Sequence, residues 1–262
     1  MKTEGLPISL SLLGPFGMRV DGRYCLPLPR KAQALITLLA LHPERELARE
    51  TAVEMIWGGV DGTQTGFGLR QTLELIRRHT GFNLVRLSRG MLNLARDGVT
   101  IDAVHFQVLA GSGDRRELGR CAALYRGELV ENLAAVAPGF DEWLAVERMR
   151  LAEIAVGTMR QVALSQLETG EFDSAVATAR RVVALDELRL DAHDLLVSIL
   201  GHCGRRAEAA RHSEFCARIL RDRDDSVPAG GLLASFLARG GSRSGGSDAS
   251  FAPAPQPSRG RR

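Results

Sequence analysis

A repeat in the C-terminal half of the chain constrains the fold more than any other feature. The segment GEFDSAVATARRVVAL at residues 170–185 aligns with GRRAEAARHSEFCARI at residues 204–219, a constant offset of 34. The aligned pairs are Gly170 with Gly204, Ala175 with Ala209, Val182 with Cys216 and Leu185 with Ile219. Glycine permits a sharp turn of the backbone, and alanine lets two helices approach closely. The sequence therefore predicts units of two helices that stack on one another.

The period of this repeat is that of tetratricopeptide units, which place two helices in about 34 residues. Helical periodicity runs through residues 101–225, so the repeats are predicted to follow an irregular helical lead-in. Residues 226–262 are rich in Gly, Ser, Pro and Arg and are predicted to be a flexible basic tail. A short helical array of this kind typically holds a peptide or a protein on its concave face.

The first hundred residues show a different pattern. Alternating apolar residues begin at Ile8, and the Asp21-Gly22 step is a hairpin signal, so two or three short antiparallel strands are expected. Three helices and a hairpin follow, with helices predicted from Pro29 to about His42, from about Arg49 to Trp57 and within residues 65–94, and the hairpin at the end of that last segment. A glycine-rich loop is expected from Gly58 to Gln64, because glycine weakens a helix. This order predicts a winged helix-turn-helix with an additional N-terminal sheet over residues 8–100.

The charge distribution agrees with two parts of different function. Residues 8–100 carry twelve basic and eight acidic side chains, whereas residues 101–225 carry sixteen basic and twenty-one acidic ones. A basic front half joined to an acidic helical half suggests a polyanionic partner for the first part only.

The third helix carries the candidate DNA-binding residues. Its apolar positions Leu69, Leu73 and Ile76 fall on one side and are expected to face the core. The opposite side carries donors suited to base edges and phosphates, namely Arg70, Gln71, Arg77 and Arg78. The hairpin adds Arg86 and Arg89, which are expected to meet phosphate or the adjacent minor groove.

A competing interpretation rests on Glu74. This residue stands three positions from Arg77 and four from Arg70 and Arg78, so the charged face could be an intrahelical ion-pair ladder. The chain would then be a helical-repeat adaptor whose winged helix contacts proteins. DNA binding requires Arg77 and Arg78 to be exposed and free to meet phosphate, while the adaptor interpretation expects them to be tied to Glu74 or to the helical half.

Eight segments in order resemble the Streptomyces antibiotic regulatory protein type of bacterial transcriptional activator, from about Leu12 to Pro228. They are LLGPFGMRVDG, LPRKAQALITLLALHP, LRQTLELIRR, IDAVHF, ALYRGELVENL, FDEWLAVERMRL, VALDELRLDAHDLLVSILGHCGRRAEA and SVPA. The resemblance implies a mainly α fold with a small β component, in which a winged helix precedes a bacterial transcriptional activator domain of tetratricopeptide-like repeats.

The same resemblance implies an activator that binds double-stranded DNA and contacts RNA polymerase. It places Arg70, Gln71, Arg77 and Arg78 on the recognition helix and Arg86 and Arg89 on the wing, and it assigns polymerase contact to the loop from Gly58 to Gln64. Dimerisation and signal reception by the helical half are left open. Gly66 and Gly68 lie where the recognition helix is expected to start, which predicts a loosened helix end.

Other functions have weaker support in the sequence. His202, Cys203, His212 and Cys216 invite a zinc site, but neighbouring His and Cys residues cannot easily bind one ion, and Cys216 holds an inward repeat position. No metal or cofactor is therefore predicted. We find no glycine loop with a following lysine and no nucleophile–base pair, so no enzymatic activity is predicted. Widely spaced cysteines and short apolar runs predict a cytoplasmic protein that does not enter a membrane.

Overall fold

A four-stranded sheet opens the computed structural model, which describes residues 7–58 and 62–222. Its strands are β1 (Ile8–Ser11), β2 (Gly17–Val20), β3 (Arg23–Tyr24) and β7 (Val99–Ile101), in the order β3-β2-β1-β7. The expected hairpin between β2 and β3 is confirmed, with Asp21 and Gly22 at φ of 49° and 72°. β7 had not been predicted, and it pairs parallel with β1.

The winged helix follows the first three strands. Its helices are α1 (Arg30–Leu41), α2 (Arg49–Trp57) and α3 (Gly62–Thr80), and its second sheet contains β4 (Glu46–Ala48), β5 (Val85–Ser88) and β6 (Met91–Leu94) in the order β4-β6-β5. The predicted bounds of α1 and α2 are confirmed to within two residues. The short strand β4, which had not been predicted, attaches the hairpin to the chain between α1 and α2.

The rest of the described chain is mainly helical. Its helices are α4 (Asp102–Gly111), α5 (Arg115–Leu124), α6 (Pro138–Glu168), α7 (Phe172–Leu185), α8 (Leu190–His202) and α9 (Arg206–Asp222). The repeat offset is visible in the backbone, because Gly170 and Gly204 both take positive φ, 81° and 73°, in the turns before α7 and α9. Ala175 and Ala209 are fully buried where the paired helices approach. The predicted fold class is confirmed.

The sheet and the helical half share one apolar core. The segment between α5 and α6 runs beside the chain that leaves β1, where Leu13 forms a β-bridge with Leu129 and the Val130 N–H donates to the Leu12 carbonyl at 2.7 Å. α2 also packs on α6, and a Cβ placed at Gly139 would lie 3.5 Å from the Cα of Met55. The N-terminal sheet and the winged helix are therefore both held against the helical half.

The side chain of Asp102 is the polar centre of this junction. Its carboxylate accepts hydrogen bonds from the backbone N–H groups of Leu12 at 2.7 Å, Leu13 at 3.3 Å and Ala103 at 2.8 Å, and from Arg126 at 2.9 Å. One side chain thus joins the end of β1, the start of α4 and the loop after α5.

Two further observations bear on the sequence predictions. All four cysteines are free thiols. In the ranges 7–58 and 62–222, no helix combines the length and the apolar character that a bilayer crossing requires. The predicted basic tail lies outside the described residues.

Candidate nucleic-acid interface

α3 presents the two faces that its sequence predicts. Leu69 and Ile76 are each only 1% exposed, and Leu73 is half-buried against the same core. Arg70, Gln71, Arg77 and Arg78 are exposed on the outer side. The apolar side fixes the helix to α1 and α2, so the outer side is held at the protein surface.

Glu74 lies in the middle of the outer face and pairs with two of its arginines. A carboxylate oxygen is 3.8 Å from Arg77 and the other is 3.2 Å from the Nε atom of Arg78. Both arginine side chains nevertheless remain 63% and 75% exposed. Within the described part of the chain, Arg70 has no ion pair or hydrogen bond.

The structure therefore meets one criterion of each interpretation. The arginines are exposed, as DNA binding requires, and they are tied to Glu74, as the adaptor interpretation expects; no ion pair within the described residues ties them to the helical half. Ion pairs of this spacing on a helix surface contribute only about 0.3–0.5 kcal/mol. Such a pair is weak enough to be exchanged for a contact with phosphate.

The N-terminal end of α3 differs from the prediction. The helix starts at Gly62 and runs without interruption through Gly66 and Gly68, so residues 62–64 are not part of a loop. Gly68 is a site of close packing, because a Cβ there would lie 2.6 Å from the Nε1 atom of Trp57. The contact between α2 and α3 outweighs the low helix propensity of glycine at this position. Residues 59–61 of the expected loop lie outside the described residues.

We expect Gly68→Ala to destabilise the protein by about 1–3 kcal/mol, since the added methyl group overlaps the indole ring of Trp57. Gly157→Ala is the matched control: Gly157 lies in α6, and a Cβ there would meet nothing within 4 Å. That control should gain about 0.5–1 kcal/mol from its better helix propensity. Urea unfolding monitored by circular dichroism measures both changes. Equal effects of the two substitutions would contradict the packing role of Gly68.

The hairpin of β5 and β6 carries the other two predicted site residues. Arg86 lies on β5 opposite Asn93, and Arg89 occupies the tip with Gly90; both arginines are exposed. Arg89 and Gly90 take positive φ, 51° and 78°, as the two-residue hairpin turns with the twist of the flanking strands require. The Gly90 carbonyl accepts from the N–H of Arg49 at 2.9 Å, so the tip is bound to the first residue of α2.

The residues considered for zinc separate into two groups. His202 bonds to the carbonyl of Ser198, and Cys203 approaches the carbonyl of Phe172, so neither faces the other pair. His212 and Cys216 instead lie beside His193, a residue that the sequence analysis had not considered. No spacing pattern in the sequence connects His193 to the other two, because it belongs to the preceding helix.

Comparison with known proteins agrees with this architecture. Residues 110–234 match the family model of the bacterial transcriptional activator domain. The regulatory protein AfsR of Streptomyces coelicolor is 26% identical over 241 residues, which cover 87% of this chain and 24% of AfsR. The structure of Mycobacterium tuberculosis EmbR in complex with a low affinity phosphopeptide superimposes with a TM-score of 0.67 at 17% identity, over 89% of this chain and 64% of that chain. This chain therefore spans about a quarter of AfsR and less than two thirds of EmbR.

Proposed function

We propose that this chain, whose resemblance to activators of the Streptomyces antibiotic regulatory protein type is confirmed by the comparisons, regulates transcription by binding duplex DNA through α3 and the β5–β6 hairpin. The observation that carries the proposal is the exposed outer face of α3, with Arg70, Gln71, Arg77 and Arg78 in front of buried Leu69 and Ile76. An α-helix fits the major groove of B-DNA, and a helix with donors outside and apolar residues behind can enter it.

The proposed roles of the side chains follow from their chemistry. Arg70 has no partner among the described residues and Gln71 is exposed, and both residue types can form paired hydrogen bonds with base edges, arginine with guanine and glutamine with adenine. Arg77 and Arg78 lie in the last turn of α3 and would contact phosphate. The tip residue Arg89 and the strand residue Arg86 would contact the backbone beside the groove.

The helical half supplies the activating function in this proposal. Its match to the bacterial transcriptional activator domain supports a contact with RNA polymerase. The segment from Gly58 to Gln64, to which the family resemblance assigns polymerase contact, would take part in it. In vitro transcription with purified RNA polymerase from a promoter that binds the protein should give more transcript when the protein is added. Unchanged transcript levels on such a promoter would contradict activation and leave DNA binding intact.

DNA binding is tested by fluorescence anisotropy on duplex DNA from the region upstream of the coding sequence, with a scrambled duplex for comparison, over a series of salt concentrations. Arg77→Ala should reduce the slope of log K against log salt by about 0.9, the value for one phosphate contact. Arg160→Ala is the matched control, because Arg160 is an exposed arginine of α6, and it should leave the slope unchanged.

Glu74→Gln should have the opposite effect to Arg77→Ala. It removes a negative charge that would lie close to phosphate, and it releases Arg77 and Arg78 from their ion pairs. We expect binding that is between about two- and fivefold tighter. Failure of the protein to bind either duplex at low salt, with Glu74→Gln equally inactive, would favour the adaptor interpretation, in which the same face contacts a protein.

A further inference from the structure

Three potential metal ligands meet between α8 and α9, far along the chain from the proposed DNA-binding face. His193 belongs to α8 and is 2% exposed, whereas His212 and Cys216 stand one helical turn apart on α9. Cys216 is also 2% exposed, and His212 is half-buried. The two nitrogen atoms and the sulfur atom that could act as ligands all lie within 4.8 Å of one another.

The hydrogen bonds of His193 determine which of its nitrogen atoms has a free lone pair. Its Nε2 atom is 2.9 Å from the carbonyl oxygen of Glu187, and a carbonyl can only accept, so Nε2 carries the proton. The Nδ1 atom therefore presents its lone pair to the Nε2 atom of His212, 2.9 Å away. Histidines that bind metals are oriented in this way, with the second nitrogen donating to a carbonyl or carboxylate.

We propose that His193 Nδ1, His212 Nε2 and Cys216 Sγ bind Zn²⁺. This ion prefers nitrogen and sulfur ligands in a tetrahedral arrangement. Bond lengths of about 2.0–2.3 Å place tetrahedral ligand atoms roughly 3.3–3.5 Å apart. The candidate ligand atoms lie within 4.8 Å of one another, at most about 1.3 Å beyond that spacing, so binding requires only a small movement of the side chains.

Three ligands leave one tetrahedral position for water or an external donor. His212 lines a surface cavity of about 340 Å³ together with Arg180, Glu208 and Phe215, so solvent reaches the cluster on the side of His212. Binding would move the remaining proton of His212 to its Nδ1 atom, and Cys216 would bind as the thiolate. The proton released from the thiol passes to solvent, and Zn²⁺ and the two histidines do not change oxidation state.

Burial is the largest influence on the titration of two members of the cluster. It lowers the pKa of His212 to about 4 and raises the pKa of Cys216 to about 11. Arg180 lies near His212 and also lowers its pKa, but its charge is paired with Glu208 at 2.8 Å. The carboxylate of Asp194 raises the pKa of Cys216.

Zn²⁺ at this position would join the last described helix to the rest of the array. His193 is bound to the turn before α8 through Glu187, and the other two ligands belong to α9. The ion would therefore stabilise the packing of α9 on α8.

The experiment uses the full chain after treatment with EDTA and titrates it with Co²⁺ as a spectroscopic substitute for Zn²⁺. We expect one equivalent of Co²⁺ to produce a thiolate-to-metal charge-transfer band that Zn²⁺ abolishes. Cys216→Val should remove the band while keeping the packing, since Val182 occupies the equivalent position of the preceding repeat. Cys121→Ala and His202→Gln, which lie outside the cluster, should retain it.

Thermal unfolding provides a second measurement that does not rely on the thiolate absorption band. Excess Zn²⁺ should raise the Tm of the EDTA-treated wild type by several degrees, and His212→Gln should abolish the increase. A wild type without the band, or a band that persists in Cys216→Val, would overturn the proposal. The two histidines would then form a hydrogen-bonded pair whose role is confined to packing.

Discussion

Asp102→Ala is expected to lower the free energy of unfolding by about 3–5 kcal/mol, more than any surface substitution in this chain. The carboxylate is 11% exposed and accepts four hydrogen bonds, three of them from backbone N–H groups. Two of those groups belong to Leu12 and Leu13, which are buried, so the substitution leaves buried donors without an acceptor. Each such donor costs about 1–3 kcal/mol.

Urea unfolding of the full chain measures this loss. Asp102→Asn keeps one acceptor oxygen and should recover part of the stability, while Asp97→Ala, an exposed aspartate just before β7, should change it by less than about 0.5 kcal/mol. A loss for Asp102→Ala as small as that for Asp97→Ala would show that the junction does not depend on this carboxylate.

Arg148→Ala is expected to cost about 2–4 kcal/mol, because one guanidinium group satisfies three backbone carbonyls. Arg148 donates to Leu129 and Val130 at 2.9 Å and to Leu133 at 3.1 Å. Val130 is buried and has a φ of 39°, a conformation that β-branched residues rarely adopt. The arginine thus holds a strained segment in place, and its removal leaves three backbone carbonyls without this donor.

Arg148→Lys and Arg160→Ala are informative comparisons for this prediction. Lysine keeps the charge but lacks the planar fork that reaches three carbonyls, so most of the loss should remain. Arg160 lies exposed on the same helix, and its removal should be nearly neutral. If Arg148→Lys were fully stable, charge rather than geometry would explain the effect. The double variant with Asp102→Ala should lose less than the two single losses combined, since both side chains hold the segment that follows α5.

Local patterns predicted much of the architecture. The bounds of α2, the turn at Asp21 and Gly22, and the offset between Gly170 and Gly204 follow from short-range periodicity and turn chemistry, which the folded chain retains. The inward face of α3 was also predicted correctly, because Leu69 and Ile76 have helical spacing. The DNA-binding role of its outer face and the domain boundary at residues 100 and 101 remain predictions.

The errors have a common physical origin in contacts that are distant along the chain. β7 has only three residues, and its pairing with β1 decides its conformation. The helical start at Gly62 contradicts glycine propensity, since Trp57 packs against Gly68 from another helix. His193 joins His212 across two helices. In each case a partner elsewhere in the chain outweighs a weak local preference.

The parallel pairing of β1 with β7 also sets an order of events during synthesis. β1 can form its hairpin with β2 as soon as both have emerged from the ribosome, but its other edge stays open until Val99–Ile101 arrive about ninety residues later. This open edge carries apolar residues that are buried in the folded protein, such as Ile8 and Leu10, so it can pair with other chains. A nascent chain is therefore most vulnerable to aggregation while the segment between β2 and β7 is being made, and it becomes protected when the junction to the helical half has been translated.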